Sequence, residues 1–359
     1  MRGTGVPRLD GSLFTVAQRT YGRRDTIVAA ILRGELEAVV DQARRGLACV
    51  QRLRLRGKPP AGFDLEQAAQ EFRYGHNLIS ADETAAWLAD SGLTFEEWMG
   101  YLERSRLRAT WADETDGVVA RYDVADDELR RVFHSEAICS GEMRRWAEAL
   151  AGRAAVYARA GTAPGDDPEC LDEVLLGRVR RECAFSLESA ESCGTTSLEW
   201  RARIGDIARI EAGFQECRRA ALTPEALQAQ ILAHRLDWSR VRWRYLVLRD
   251  EQTAREAALC VRHENEALED VAVRAGIALR EEEPLLESVD DAIRAATISA
   301  CAGDLLGPWP SADGFRLAVL LRKSQPSSSD AVVRRRAEEQ VAVELVAEGL
   351  KDVVWHARI

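Results

Sequence analysis

The chain has 359 residues and a formal net charge of −10, from 49 Lys and Arg against 59 Asp and Glu. That length allows two or three domains, and the acidic balance argues against non-specific nucleic-acid binding, which needs a basic face to neutralise phosphate. No stretch reaches the roughly 18 apolar residues that span a membrane and Met1 to Asp10 lacks a signal-peptide core, so a cytoplasmic protein with no membrane partner is expected.

The first twenty-five residues look irregular. A helical pattern then runs from about Thr26 to Arg56, with Ile27, Ile31, Leu36, Val40 and Leu47 at apolar positions, and Gly57-Lys58-Pro59-Pro60 ends it. Asp64, Ser80 and Thr94 are candidate caps, the last two with Glu83 and Glu97 at capping-box spacing. Asp126 opens another helix and Ser140 precedes a long one to about Ala160. Gly161 to Pro168 is the clearest linker. Helical patterns resume over Leu171–Ala190 and Ser197–Phe214. The segment from Leu93 to Trp98 faintly echoes that from Thr195 to Trp200, as two capped amphipathic helices do by chance more often than by duplication.

The pattern changes after Leu236. Val241–Leu248 alternates and is rich in β-formers, so a strand is predicted. Helices over about Glu251–His263 and Ala267–Arg274 follow, then a short strand at Ile277–Arg280 and a helix capped by Ser288. Asp313-Gly314 is a hairpin signal leading into the strand Phe315–Leu321. The predicted order is β–α–α–β–α–β–β, an α+β module of under a hundred residues. Pro326–Ser329 breaks the chain before a helix over Asp330–Leu350 and a final strand at Val353–Ile359. The expected divisions are 1–130 and 131–236, both helical, 237–323 for the α+β module, and 324–359 packing back on the helical part.

The tail resembles a parvulin domain of the SurA and PpiC type. Gly303-Asp304-Leu305-Leu306-Gly307-Pro308 followed by Asp313-Gly314-Phe315-Arg316-Leu317 is similar to that family's "GD-apolar-apolar-GP … GaHfI" ending. Arg244-Tyr245-Leu246-Val247 stands where the family has its "HILV" strand. The resemblance covers about the last 120 residues. It implies a mainly α chain, a SurA-like helical chaperone region followed by a parvulin-like α+β domain.

By this alignment Arg244 and Arg316 occupy the positions of the family's two facing histidines. Val289 and Ile293 fall at pocket positions, and Phe315 precedes Arg316, which completes the candidate substrate-binding set. Arginine is permanently charged and has no acceptor, so two of them cannot replace a pair of neutral imidazoles. Three placements follow. The register is off by one and the arginines point outward; they share an internal acid such as Glu282 or Asp304; or they bind an acidic group on a ligand. No residue is assigned a catalytic role.

The resemblance implies a peptide-binding, chaperone-like protein with an inactive parvulin-like domain. Its client would be an unfolded chain or, as for peptide-maturation components that such proteins resemble, a ribosomally made precursor peptide presented to its modifying enzyme. Two alternatives stay open: an active peptidyl-prolyl cis–trans isomerase, and a dimeric scaffold with no peptide groove. Trp87, Trp98, Trp111, Trp146 and Trp200 in the helical part line a groove or fill a core. The eight cysteines and five histidines are dispersed, without metal-ligand spacing, so no metal is expected. There is no P-loop and no glycine-rich dinucleotide fingerprint, and no cofactor is expected. Cys139, Ser140 and His134 form a weak nucleophile cluster, with His134 placed on a separate element. Glu281-Glu282-Glu283 is expected to be a solvated loop.

Overall fold

A computed structural model describes residues 11–161, 177, 179, 181–182, 197–264 and 266–356. Most of the Gly161–Pro168 linker, most of the Leu171–Ala190 helix and the side chain of Trp200 lie outside the described residues.

The elements are β1 (Ser12–Val16), β2 (Arg19–Gly22), α1 (Arg23–Arg33), α2 (Leu36–Arg56), α3 (Leu65–Gly75), α4 (Ala81–Ser91), α5 (Phe95–Thr110), α6 (Thr115–Val119), α7 (Asp126–Cys139), α8 (Glu142–Ala160) and α9 (Ser197–Ala221). They continue with α10 (Pro224–Ala233), β3 (Arg240–Leu248), α11 (Glu251–His263), α12 (Leu268–Ala275), β4 (Arg280–Glu282), α13 (Asp291–Ser299), β5 (Leu305–Ser311), β6 (Gly314–Ser324), α14 (Ala331–Leu350) and β7 (Val354–Trp355). The chain is mainly helical, with antiparallel sheets of order β2-β1-β7 and β4-β3-β6-β5. No described helix is long and apolar enough to cross a membrane. The chain divides into two compact units, Met1–Arg219 with Glu344–Ile359, and Ala220–Val343.

In the first unit the capping signals operate as expected. Ser80 Oγ accepts the Glu83 N–H at 3.1 Å and Thr94 Oγ1 the Glu97 N–H at 3.1 Å, with both glutamates reaching back to the cap backbone. The pattern from Thr26 to Arg56 is two helices, because Gly34 adopts a left-handed conformation at φ 75° and ends α1. The leading segment is not irregular: β1 and β2 form a hairpin closed by Ala17 and Gln18, both at positive φ.

The core of this unit includes Phe14, Ile27, Ile31, Phe133, Trp146 and Leu150, each fully buried. A buried ion cluster joins α5 to α7. The Glu136 carboxylate is 0% exposed and accepts Arg104 Nε at 3.2 Å as well as Arg108. Arg104 also donates to Ser135 at 3.0 Å. Unpaired, such a carboxylate would be costly to bury. Gly46 of α2 makes room, since a Cβ there would lie 2.8 Å from the Arg104 Cβ.

The last residues complete the same unit. Gly152 of α8 and Gly349 of α14 let two helix backbones touch: a Cβ on Gly349 would stand 2.3 Å from the Gly152 carbonyl oxygen. Arg159 pairs with Asp352 at 2.5 Å, and β7 pairs with β1 through Phe14–Trp355 and Thr15–Val354.

The second unit carries the predicted order β–α–α–β–α–β–β. β3 pairs with β6 along its whole length, from Arg240–Ser324 to Leu248–Phe315. The Asp313-Gly314 turn joins β5 to β6, and Gly314 is required there, because a Cβ would lie 2.2 Å from the Leu248 carbonyl oxygen. The short strand falls at Arg280–Glu282, later than its apolar residues suggest, and Asp290 rather than Ser288 precedes α13. Ser288 sits instead in a 3-10 turn with its hydroxyl on the Leu285 carbonyl. Asp330 accepts the Val332 N–H at the start of α14 and a fork from Arg240, which holds its carboxyl down at about 2.

Gly349→Ala is expected to destabilise the chain by about 1–3 kcal/mol, because the clash is with backbone that cannot turn aside. Gly75→Ala, where an added Cβ meets nothing within 4 Å, is expected to match or exceed the parent. Urea denaturation of both variants checks this contrast.

Candidate functional site

Strand alternation decides which residues of the module meet. Along β3, Val241, Trp243 and Tyr245 face one side with Ala318 and Leu320 of β6. Leu246 and Leu248 face the other with Leu317, beneath α11 and α12. Arg316 is paired with Val247, and its guanidinium carbon lies 4.2 Å from the Tyr245 ring centroid, on the first side. Arg244 is paired with Val319, on the second. The two arginines therefore occupy opposite faces of the sheet.

Among the candidate binding residues, Val289, Ile293 and Arg316 share the Tyr245 face. Phe315 packs with the opposite cluster, and Arg244 is held there by Glu281, at 2.7 and 2.8 Å, and by Glu269. Both arginines have acids, but not a common one. Asp304 is engaged elsewhere, accepting the Cys301 N–H at 2.6 Å.

The residue that faces Arg316 is Tyr245, one position after the residue the alignment selects. The contact belongs to a wider assembly. Arg316 Nη1 and Trp243 Nε1 both donate to Glu282 Oε1, each at 2.5 Å. Trp309 is paired with Arg316 across β5 and β6, with its ring 6.2 Å from that of Trp243. Gly307 permits this, since a Cβ there would lie 2.7 Å from the Arg316 carbonyl oxygen and 2.8 Å from the Trp309 ring. Sequence reasoning missed Trp243, Tyr245 and Trp309 as members of the site. Their grouping around Glu282 joins β3, β4, β5 and β6, and no local signal in the sequence marks it.

The three glutamates are not a solvated loop. Glu281 pairs with Arg242 and Arg244, Glu282 with Arg316, and Glu283 with Arg322. These bonds tie β4 to β3 and β6. Chemically, the face offers a cation stacked on a phenol ring and neutralised by one carboxylate. Among the described residues it has no imidazole to exchange a proton. The guanidinium can donate hydrogen bonds but cannot act as a base.

The nucleophile cluster is unsuited to chemistry. His134 and Cys139 are both on α7, so His134 is not on a separate element. Five residues apart, they point about 140° apart around the helix. Burial, with Glu136 adding to it, pushes the Cys139 thiol well above its ordinary range. Burial and the nearby Arg23 push His134 down to about 4. The five described cysteines, Cys49, Cys139, Cys217, Cys260 and Cys301, carry free thiols.

Among solved structures, the chain is similar to the peptidylprolyl isomerase PrsA from Bacillus anthracis, at 13% identity and a TM-score of 0.26, over 55% of this chain and 93% of that one. It is also similar to PrsA from Bacillus subtilis, at 12% identity and a TM-score of 0.20, over 62% of this chain and 85% of that one. No family model matches the chain, and no curated protein is similar to it.

The Arg316–Glu282 pair has side chains 24% and 32% exposed, so solvent screens it. A double-mutant cycle with Arg316→Ala and Glu282→Ala is expected to give a coupling of about 1 kcal/mol; zero coupling would mean that the pair does not form in solution. For His134, the folded value lies below the ordinary 6.5. The unfolded chain therefore takes up the proton first as pH falls. Stability is full above 6.5 and declines through about 4, by roughly 3 kcal/mol at most. His134→Gln is expected to flatten that limb in denaturation measured across this window.

Proposed function

We propose that this chain is a peptide-binding, chaperone-like protein whose parvulin-like module does not isomerise prolyl bonds. One observation carries the reading: the Arg316 guanidinium lies on Tyr245 and is paired with Glu282, where the resembled family has two imidazoles facing each other. The barrier to peptide-bond rotation is roughly 18–20 kcal/mol. A neutralised ion pair at the floor adds no proton relay that would help lower it. Trp309 and Ile293, half-buried beside it, suit contact with an apolar peptide segment, while Trp243 and Val289 are buried behind them. The candidate binding set becomes Tyr245, Val289, Ile293 and Arg316, with Arg244 and Phe315 serving the opposite side of the sheet.

The client we propose is a precursor peptide or an unfolded segment in the cytoplasm, held for a modifying enzyme. The scaffold alternative gains from the helical tryptophans: Trp98, Trp111 and Trp146 are buried within cores, so they offer no surface to a peptide. Trp87 is half-buried and keeps part of its ring accessible.

A protease-coupled assay on short X-Pro peptides, including acidic residues before proline, tests the central point. No acceleration is expected, while the same peptides are expected to perturb the fluorescence of Trp243 and Trp309. Acceleration that disappears in Arg316→Ala and Tyr245→Leu would replace this reading with an acid-selective isomerase.

A further inference from the structure

The first unit contains a groove that the reading above does not use. It encloses about 790 Å³ between α3, α4, the start of α8 and β7. Two indoles line it, Trp87 of α4 and Trp355 of β7. Trp87 is backed by Phe72, with ring centroids 5.4 Å apart, and Trp355 by Phe14 at 5.3 Å. Both rings are thereby fixed in place while part of each stays accessible. The charged side chains lining the groove are Glu83, Asp90, Glu148 and Arg144, three carboxylates against one guanidinium.

Their states are set by local bonds. Glu83 accepts the backbone N–H groups of Ser80 and Ile79, which hold its carboxyl below the usual range. Glu148 takes Arg144 at 2.8 Å, so the one cation is already engaged. Asp90 is exposed; its main-chain carbonyl accepts Arg23 at 2.8 Å, which anchors the backbone beneath it. The groove is negative at neutral pH.

β7 adds a second property. It is the outer strand of the sheet β2-β1-β7, and its Val354 is 59% exposed. An outer strand offers main-chain donors and acceptors to an added extended chain, with specificity left to the side-chain pockets beside it. Indole faces attract lysine and arginine, and more strongly where carboxylates stand near and water is partly excluded.

We propose that this groove takes an extended, cationic peptide segment of a partner, its backbone along β7 and its basic side chains between the two indoles and Asp90. The proposal rests on the peptide-binding reading in general but not on the parvulin-like module, which lies in the other unit.

The test uses the full chain and two capped peptides, Val-Lys-Val-Lys-Val-Lys and the same sequence with glutamate for lysine, in calorimetry at low and moderate salt. The lysine peptide is expected to bind about tenfold or more tightly than the glutamate peptide and to weaken with salt. Asp90→Lys is expected to remove about tenfold of that affinity, with an unchanged circular dichroism spectrum because the side chain is exposed. Glu148→Gln is a second, milder variant expected to weaken binding in the same direction. Arg316→Ala is expected to leave it intact. Equal affinity for the two peptides, no binding of either, or indifference to both Asp90→Lys and Glu148→Gln overturns the proposal. X-Pro peptides that bind while the lysine peptide does not would sink the groove alone. The reverse pattern would sink the role of the module and leave the groove standing.

Discussion

Two helix backbones meet without side chains between them, and the first unit depends on that contact. Gly152 and Gly349 bring α8 and α14 to a distance at which any Cβ would collide with a carbonyl. Around the contact gather Val346, the Arg159–Asp352 pair and the pairing of β7 with β1. Phe14, at the centre of β1, is fully buried with Tyr21 and Trp355 against its ring. Without α14 and β7, one edge of β1 would be open to water and Phe14 would lose an aromatic neighbour. The groove beside Trp355 exists only because this closure sets the ring there.

Charge does comparable work in the second unit. The arginines of β3 and β6 could repel one another across a narrow sheet. Glu281 and Glu282 of β4 and the adjacent Glu283 supply carboxylates from the sheet edge, so Arg242, Arg244, Arg316 and Arg322 each have an acid within reach. A three-residue strand with little apolar content is held by these pairs as much as by its backbone bonds. The same arrangement blunts an exposed sheet edge, since charged side chains discourage pairing with another chain. The face that holds Arg316 and Glu282 is in this way an electrostatic clasp between strands.

What sequence could reveal followed the range of the interactions. The capping boxes at Ser80 and Thr94 and the Asp313-Gly314 turn are encoded within four residues, and each was legible. The β1–β2 hairpin was not, because Ala17 and Gln18 carry none of the usual turn chemistry and the other partner of β1 lies some 340 positions away. The site depended on one step of register. Arg242-Trp243-Arg244-Tyr245 alternates in a way that lets either arginine or aromatic face the core. The irregularity between Arg242 and Trp243 removes any help from counting along the strand. Trp87 and Asp90 lie a helical turn apart on α4, but Trp355 stands at the far end of the chain, so nothing local marked the groove they share.

The placement of the second unit between the two parts of the first bears on how the chain acquires its structure. During synthesis α1 to α8 emerge long before α14 and β7, so β1 must wait with an open edge. Residues Ala220–Val343 form the intervening loop. If that loop had to close as a flexible coil, the entropy cost would grow with its length. Its β5–β6 hairpin is local, whereas β3 reaches β6 only once α11, α12, β4, α13 and β5 have been made, and with that pairing complete the segment is ordered rather than coiled. An ordered second unit thereby lowers the loop-closure cost of bringing β7 to β1.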